Sequence, residues 1–186
     1  MFTGLVIFLV AIALLVFLFV ALYNGLVSLR QQAINAWAQI DVQLRRRYDL
    51  IPNLVETVKQ YMKYEQETLE KVIQARQRAM DAQGMRAQGE AENALTHALG
   101  GLFAVAESYP DLKASQNMQN LQEELASTEN RISAARQFYN DSVMEYNTKL
   151  QQFPQSVVAN MFGFKPREMF EIEDPGAREP VKVSFS

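Results

Sequence analysis

The sequence predicts an all-α membrane protein: one N-terminal transmembrane helix continuing into an antiparallel four-helix bundle, with an extended apolar C-terminal tail. Three observations carry that prediction. An unbroken apolar run extends from Leu5 to Leu22, and no charged side chain appears before Arg30. Beyond it, apolar residues recur at spacings of three and four through several long segments. After Pro154 the chain turns apolar again without helical regularity, through Val157, Val158, Met161, Phe162, Phe164, Met169 and Phe170. These features divide the chain into an anchor over residues 1–23, a helical domain over 24–153 and a membrane-proximal tail over 154–186.

As a helix the opening run is roughly 27 Å long at 1.5 Å per residue, about the thickness of a bilayer's hydrocarbon core. A cleaved signal peptide would show a positive n-region, a shorter apolar core and a small-x-small cleavage site. Here no Lys or Arg precedes the run, which closes in Ala21, Leu22, Tyr23, Asn24 and Gly25, so it reads as an uncleaved anchor binding the lipid bilayer through residues 5–22. Tyr23 suits the membrane–water interface. Positive charge lies only on the C-terminal side, at Arg30 and then Arg45, Arg46 and Arg47, which predicts an outside N-terminus and a cytoplasmic domain. The absence of cysteine fits a reducing compartment.

A formal net charge of −3 leaves no basic surplus to displace counterions, so nucleic acid is excluded as the main partner. The Arg45–Arg47 triplet reads as a solvated helix face.

The first soluble helix is expected to continue from the span, with an apolar stripe of Ile34, Trp37, Ile40, Leu44 and Tyr48. Asp49 then reads as the N-cap of a second helix that holds Pro52 in its first turn. That helix carries Leu54, Val58, Tyr61, Leu69, Val72 and Ile73 and fades around Ala82 to Gly89. A third is expected from about Glu90 to Ser108, stopped by Tyr109-Pro110-Asp111, because the residue before proline avoids the α region. The fourth carries the clearest seam: Met118, Leu121, Leu125, Thr128, Ile132, Ala135, Tyr139, Val143, Tyr146 and Leu150. Phe153-Pro154 closes it. Short connections imply antiparallel neighbours, so the fourth helix should deliver the tail to the membrane-proximal end.

Polar residues interrupt the inner face. Asp41 falls on the first stripe, and Glu129, Arg136, Asn140 and Asn147 form a row beside the fourth seam. Two readings exist: interhelical hydrogen bonds that set register, or a ligand or ion site in the bundle core. Register is the preferred one. Catalysis finds little support. The single histidine, His97, sits in an alanine–leucine helix; a carboxylate-bridged dimetal bundle needs Glu-x-x-His twice; and no Ser or Thr has a His to activate it. Gly100-Gly101 lies inside a helical pattern with no lysine following, so no phosphate loop is present. No catalytic, cofactor-binding or metal residue is therefore assigned.

The block from Asn35 to Val55, centred on Arg45-Arg46-Arg47-Tyr48-Asp49-Leu50-Ile51-Pro52-Asn53-Leu54, resembles the LemA family of bacterial membrane proteins. The resemblance continues through Glu107-Ser108-Tyr109-Pro110-Asp111-Leu112-Lys113, Leu121-Gln122-Glu123-Glu124-Leu125, Thr128-Glu129-Asn130-Arg131-Ile132, Ala135-Arg136, Tyr139-Asn140 and Tyr146-Asn147. It ends on Phe153-Pro154 and Phe162-Gly163-Phe164. It implies one span of the bacterial inner membrane, an outside N-terminus and a helical cytoplasmic domain, with no catalytic activity or cofactor. It also implies kinship with proteins tied to building or shaping internal membranes.

The function expected from these readings is a non-enzymatic, membrane-anchored scaffold that self-associates and supports membrane organisation. The alternative is an adaptor or sensor that binds another membrane protein through the bundle surface; a small-molecule binder using the inner polar row comes third. Phe162, Phe164 and Phe170 must insert at the lipid interface, fold back on their own bundle or pack on a neighbouring copy. The neighbour is the preferred reading, because Val181, Val183 and Phe185 alternate with polar residues as an edge strand between chains would.

Overall fold

The computed structural model describes residues 2–62 and 64–170. Among them all regular structure is helical: α1 (Phe2–Lys59), α2 (Gln66–Asp81), α3 (Met85–Ala106), α4 (Pro110–Ala114), α5 (Gln116–Gln151) and α6 (Gln155–Met161). They form two compact units. One combines the chain up to Ile40 with Ala134–Met169; the other holds Asp41–Ser133 and Phe170. The expected edge strand at Val181, Val183 and Phe185 lies outside the described residues.

The apolar run occupies the start of α1. Its most apolar 18-residue window has mean hydropathy 3.5, and none of its residues is buried. This is a helix long and apolar enough to cross a membrane, and it continues into the rest of α1 without a break.

The expected N-cap at Asp49 does not form. Helix α1 runs through Asp49 and Pro52 to Lys59. A proline inside a helix withholds the N–H that would bond the carbonyl four residues earlier, here that of Tyr48. The structure repairs the loss from a distance: Arg76 Nε on α2 donates to the Tyr48 carbonyl at 2.7 Å. Arg76→Met should therefore cost on the order of 1.5–3 kcal/mol, as for a hydrogen bond from a charged group. The cost should shrink in a Pro52→Ala background, where the alanine N–H satisfies the same carbonyl. Thermal unfolding of the four chains of that cycle measures the coupling, and additive effects would show that Arg76 stabilises by other means.

The second helix consequently starts at Gln66 rather than Asp49, after α1 closes with the N–H groups of both Tyr61 and Met62 on Val58 O. The third begins at Met85, earlier than expected. Gly84 precedes it with φ of 89°, a left-handed value that any side chain would strain. Helices α2 and α3 pack on each other.

Of the expected α1 stripe, Ile40, Leu44 and Tyr48 are buried and Trp37 half-buried, while Ile34 is exposed; Ala33, Ala36, Arg47, Ile51, Leu54, Val55 and Val58 widen the buried face. Small alanines allow close helix approach, so the most apolar side chains do not define the packed face. Trp37 meets Tyr139 edge-on, with ring centroids 5.5 Å apart. The α5 seam agrees with expectation, and each of its ten residues is buried or half-buried.

Candidate functional site

In the unit built from Asp41–Ser133, α1 places an arginine at an apolar register position. Arg47 is 2 % exposed, so the triplet is no uniform solvated face: Arg45 and Arg46 lie outside and Arg47 inside. Its guanidinium meets two carboxylates, Glu92 on α3 at 2.9 Å and Glu129 on α5 at 2.8 Å. Its Nη2 also donates to Thr96 Oγ1 at 2.8 Å.

Glu92 is 1 % exposed and occupies a core position of α3, between Gly89 and Leu95. A buried charge persists only when paired and hydrogen-bonded. Besides Arg47, the Tyr48 hydroxyl donates to Glu92 Oε1, and Gln88 Nε2 donates to the same oxygen at 2.8 Å. Gln88 also reaches the Ala79 carbonyl at 3.1 Å, which ties in the end of α2. One polar network thus joins segments of α1, α2, α3 and α5. Burial first, and the neighbouring Glu92 carboxylate second, raise the Tyr48 phenol well above its ordinary value, so it remains a donor.

Glu129 differs from Glu92 because its side chain is 42 % exposed. Its carboxyl is raised above the ordinary 4.5: burial outweighs the attraction of Arg47, a charge shared with Glu92, which itself repels Glu129. A folded carboxyl that holds its proton more tightly than the unfolded one stabilises the fold most below the ordinary pKa. That contribution disappears as pH rises through the raised value. The thermal midpoint should accordingly fall as pH rises from about 4.5 toward neutrality. Glu129→Gln should flatten this dependence; an unchanged slope would assign it to another group.

Asp41, expected on the inner face, instead pairs with Arg45 one turn on at 2.9 Å, half-exposed. His97 is exposed. Among the described residues, no group of three His, Cys, Asp or Glu side chains could hold a metal ion. The predicted polar row is divided: Glu129 belongs to one compact unit, and Arg136, Asn140 and Asn147 to the other.

In that other unit Asn147 has a peptide for a partner. Its Nδ2 donates to the Arg167 carbonyl at 2.8 Å, and its Oδ1 accepts the Arg167 N–H at 2.9 Å, as a neighbouring strand would. The Tyr146 hydroxyl donates to Lys165 O at 3.1 Å and the Tyr139 hydroxyl to Glu168 O at 2.9 Å. From the Tyr146–Lys165 contact to the Tyr139–Glu168 contact the tail number rises while the helix number falls, so the tail runs antiparallel to α5. The lengths agree: three extended residues cover about 10 Å, and the seven helical steps from Tyr146 to Tyr139 about 10.5 Å.

Gly163 aims the chain into this strap. With φ of 68°, it follows α6 in a Schellman closure: Phe164 N–H bonds Ala159 O at 2.9 Å and Gly163 N–H bonds Asn160 O at 3.4 Å. Phe164 then packs on Tyr23, ring centroids 5.7 Å apart, and lies 5.2 Å from the Arg30 guanidinium. Phe162 packs on Phe19 and Tyr23, and Phe170 is buried. Of the three placements expected for these aromatics, the described chain shows the fold-back one for Phe162 and Phe164, which pack on α1 of their own chain. The short α6 between Pro154 and Gly163 and the closure at its end make that return possible.

The sequence blocks that carry the family resemblance include residues of both the polar network and the strap. The LemA family model matches residues 36–185. The chain belongs to the LemA family. Among relatives, it is 25 % identical to the magnetosome protein MamQ of Magnetospirillum gryphiswaldense, over 86 % of this chain and 68 % of that protein. It is 32 % identical to magnetosome protein MamQ 2 of Paramagnetospirillum magneticum over 54 % of this chain, which matches only 37 % of that relative. It is 27 % identical to the protein LemA of Metamycoplasma hominis over 82 % of this chain and 70 % of that one. The matched family region begins at Ala36, past the apolar run, so the family comparison and the membrane reading of residues 5–22 are independent.

Sequence reasoning found Glu129 and Asn147 but missed Glu92, Arg76 and the inward turn of Arg47. A signal for two of them was present: Arg47 and Glu92 each replace an apolar residue in an otherwise regular three–four register, and they carry opposite charge.

Proposed function

We propose that this LemA-family chain is a non-enzymatic scaffold of the bacterial inner membrane. Residues 5–22 span the bilayer with the N-terminus outside, and the cytoplasmic part is an antiparallel four-helix bundle that self-associates. The observation that carries the reading is the continuity of α1: one helix runs from an apolar segment with no buried residue into the register that holds Arg47. An unbroken helix tethers the domain directly to the span, as a membrane scaffold requires. Arg47, Glu92, Tyr48 and Gln88 bond chiefly to one another, which favours a structural role over a catalytic one. The similarity to proteins named as magnetosome proteins supports a role in membrane organisation.

The test is the mass of the full chain in mild detergent, by light scattering coupled to size exclusion. A large regular homo-oligomer is the expected result. A monomer that co-purifies stoichiometrically with a second membrane protein would replace the scaffold with an adaptor.

A further inference from the structure

The geometry points to a second membrane contact: α6 lies in the headgroup layer beside the span, where its outer face meets anionic phospholipid. The inference rests on the reading of residues 5–22 as a membrane span, and three observations add to it.

The first is depth. Phe19 lies inside the apolar run, three residues or about 4.5 Å from its end. The Phe162 ring, at the end of α6, has its centroid 6.0 Å from that of Phe19 and 4.8 Å from that of Tyr23. A ring in contact with a residue of the span sits at the edge of the hydrocarbon.

The second is the composition of α6. Val158 and Ala159 are buried with Leu26 of α1. The opposite side leaves Val157 49 % and Met161 67 % exposed, one turn apart on one face, and Phe153 just before the helix is 83 % exposed. No Asp, Glu, Lys or Arg occurs between Lys149 and Lys165. A surface helix facing water would carry charge there; one lying in an interface buries such a face among lipids.

The third is the charge around it. Lys149 and Lys165 bracket this uncharged stretch, and Arg30 lies over the Phe164 ring. Beside them a groove of about 310 Å³ is lined by Leu22, Gly25, Leu26 and Leu29 on α1, with Lys149 and Gln155 on its other side. Its leucines suit part of an acyl chain and the Lys149 ammonium suits a lipid phosphate, so charge and apolarity select an anionic phospholipid. Attraction of this kind strengthens with each basic residue held near an anionic surface.

The chain has no cysteine, so single substitutions accept a fluorophore cleanly. The full chain is placed in nanodiscs of mixed phosphatidylglycerol and phosphatidylcholine and labelled at Val157→Cys, Met161→Cys, Leu15→Cys or Glu123→Cys. Quenching by nitroxide-bearing lipids is compared with quenching by aqueous iodide. The Val157 and Met161 labels should be quenched by shallow lipid nitroxides at least twofold more than the Glu123 label. That excess should fall in phosphatidylcholine alone or with Lys149→Gln. Iodide quenching of both labels equal to that at Glu123 would overturn the inference, as would shielding from both quenchers, which means a second copy covers the face. Equal lipid quenching in both lipid compositions would overturn the anionic selectivity. Loss of lipid quenching at Leu15 would instead overturn the span itself.

Discussion

Arg47→Ala is expected to destabilise the protein more than any truncation on its surface. Glu92 would be left buried without its cation, with only Tyr48 and Gln88 to hold it, and breaking a buried pair in this way typically costs about 3–5 kcal/mol. For a chain of this size that corresponds to a fall of roughly 10 °C or more in thermal midpoint, measured as loss of helical circular dichroism. Glu129, at the open side of the network, regains water and adds little. The informative control removes both buried charges. Arg47→Met with Glu92→Leu should recover most of the loss, because an apolar pair of similar volume dispenses with desolvation on both sides. A double variant as unstable as the single one would mean that Gln88 and Tyr48, not the charge pair, organise the site. Arg47→Ala with an unchanged midpoint would place the guanidinium in solvent.

Replacing Leu14 and Leu15 with arginine is the other large effect. Each charge near the bilayer centre costs on the order of 2.5–3.5 kcal/mol on insertion scales, enough together to abolish stable insertion of a single span. The protein should leave the membrane fraction on flotation or be degraded. Retention in the membrane would show that another part of the chain also anchors it, and Val157, Met161 and Phe162 on α6 are the residues to remove next.

Residues that act through near neighbours are legible in the sequence. The apolar run, the seam from Met118 to Leu150 and the stops at Tyr109-Pro110 and Phe153-Pro154 all follow from composition, three–four periodicity and the backbone limits of proline. Where distant residues intervene, the local rules lose. Pro52 should open a helix by its chemistry, yet it sits well inside α1 because Arg76 on α2 supplies the missing hydrogen bond. Arg47 should be solvated, yet it is buried because Glu92 and Glu129 on two other helices neutralise it.

Asn147 marks the boundary between the two kinds of information. Its position in the sequence makes it an inward polar residue that has to find a hydrogen-bond partner, and by the cost of burying an unpaired amide it does. Its partner is the Arg167 backbone, carried back along α5 after the turn at Gly163. Sequence by itself determined the helical class, the apolar run, the main seam and, at Asn147, one polar group that needed satisfaction, because periodicity, hydropathy and proline chemistry act over a few residues. Only the tertiary structure decided which groups satisfied which, since a hydrogen bond or ion pair between distant positions depends on where the packed helices bring them, not on their spacing along the chain.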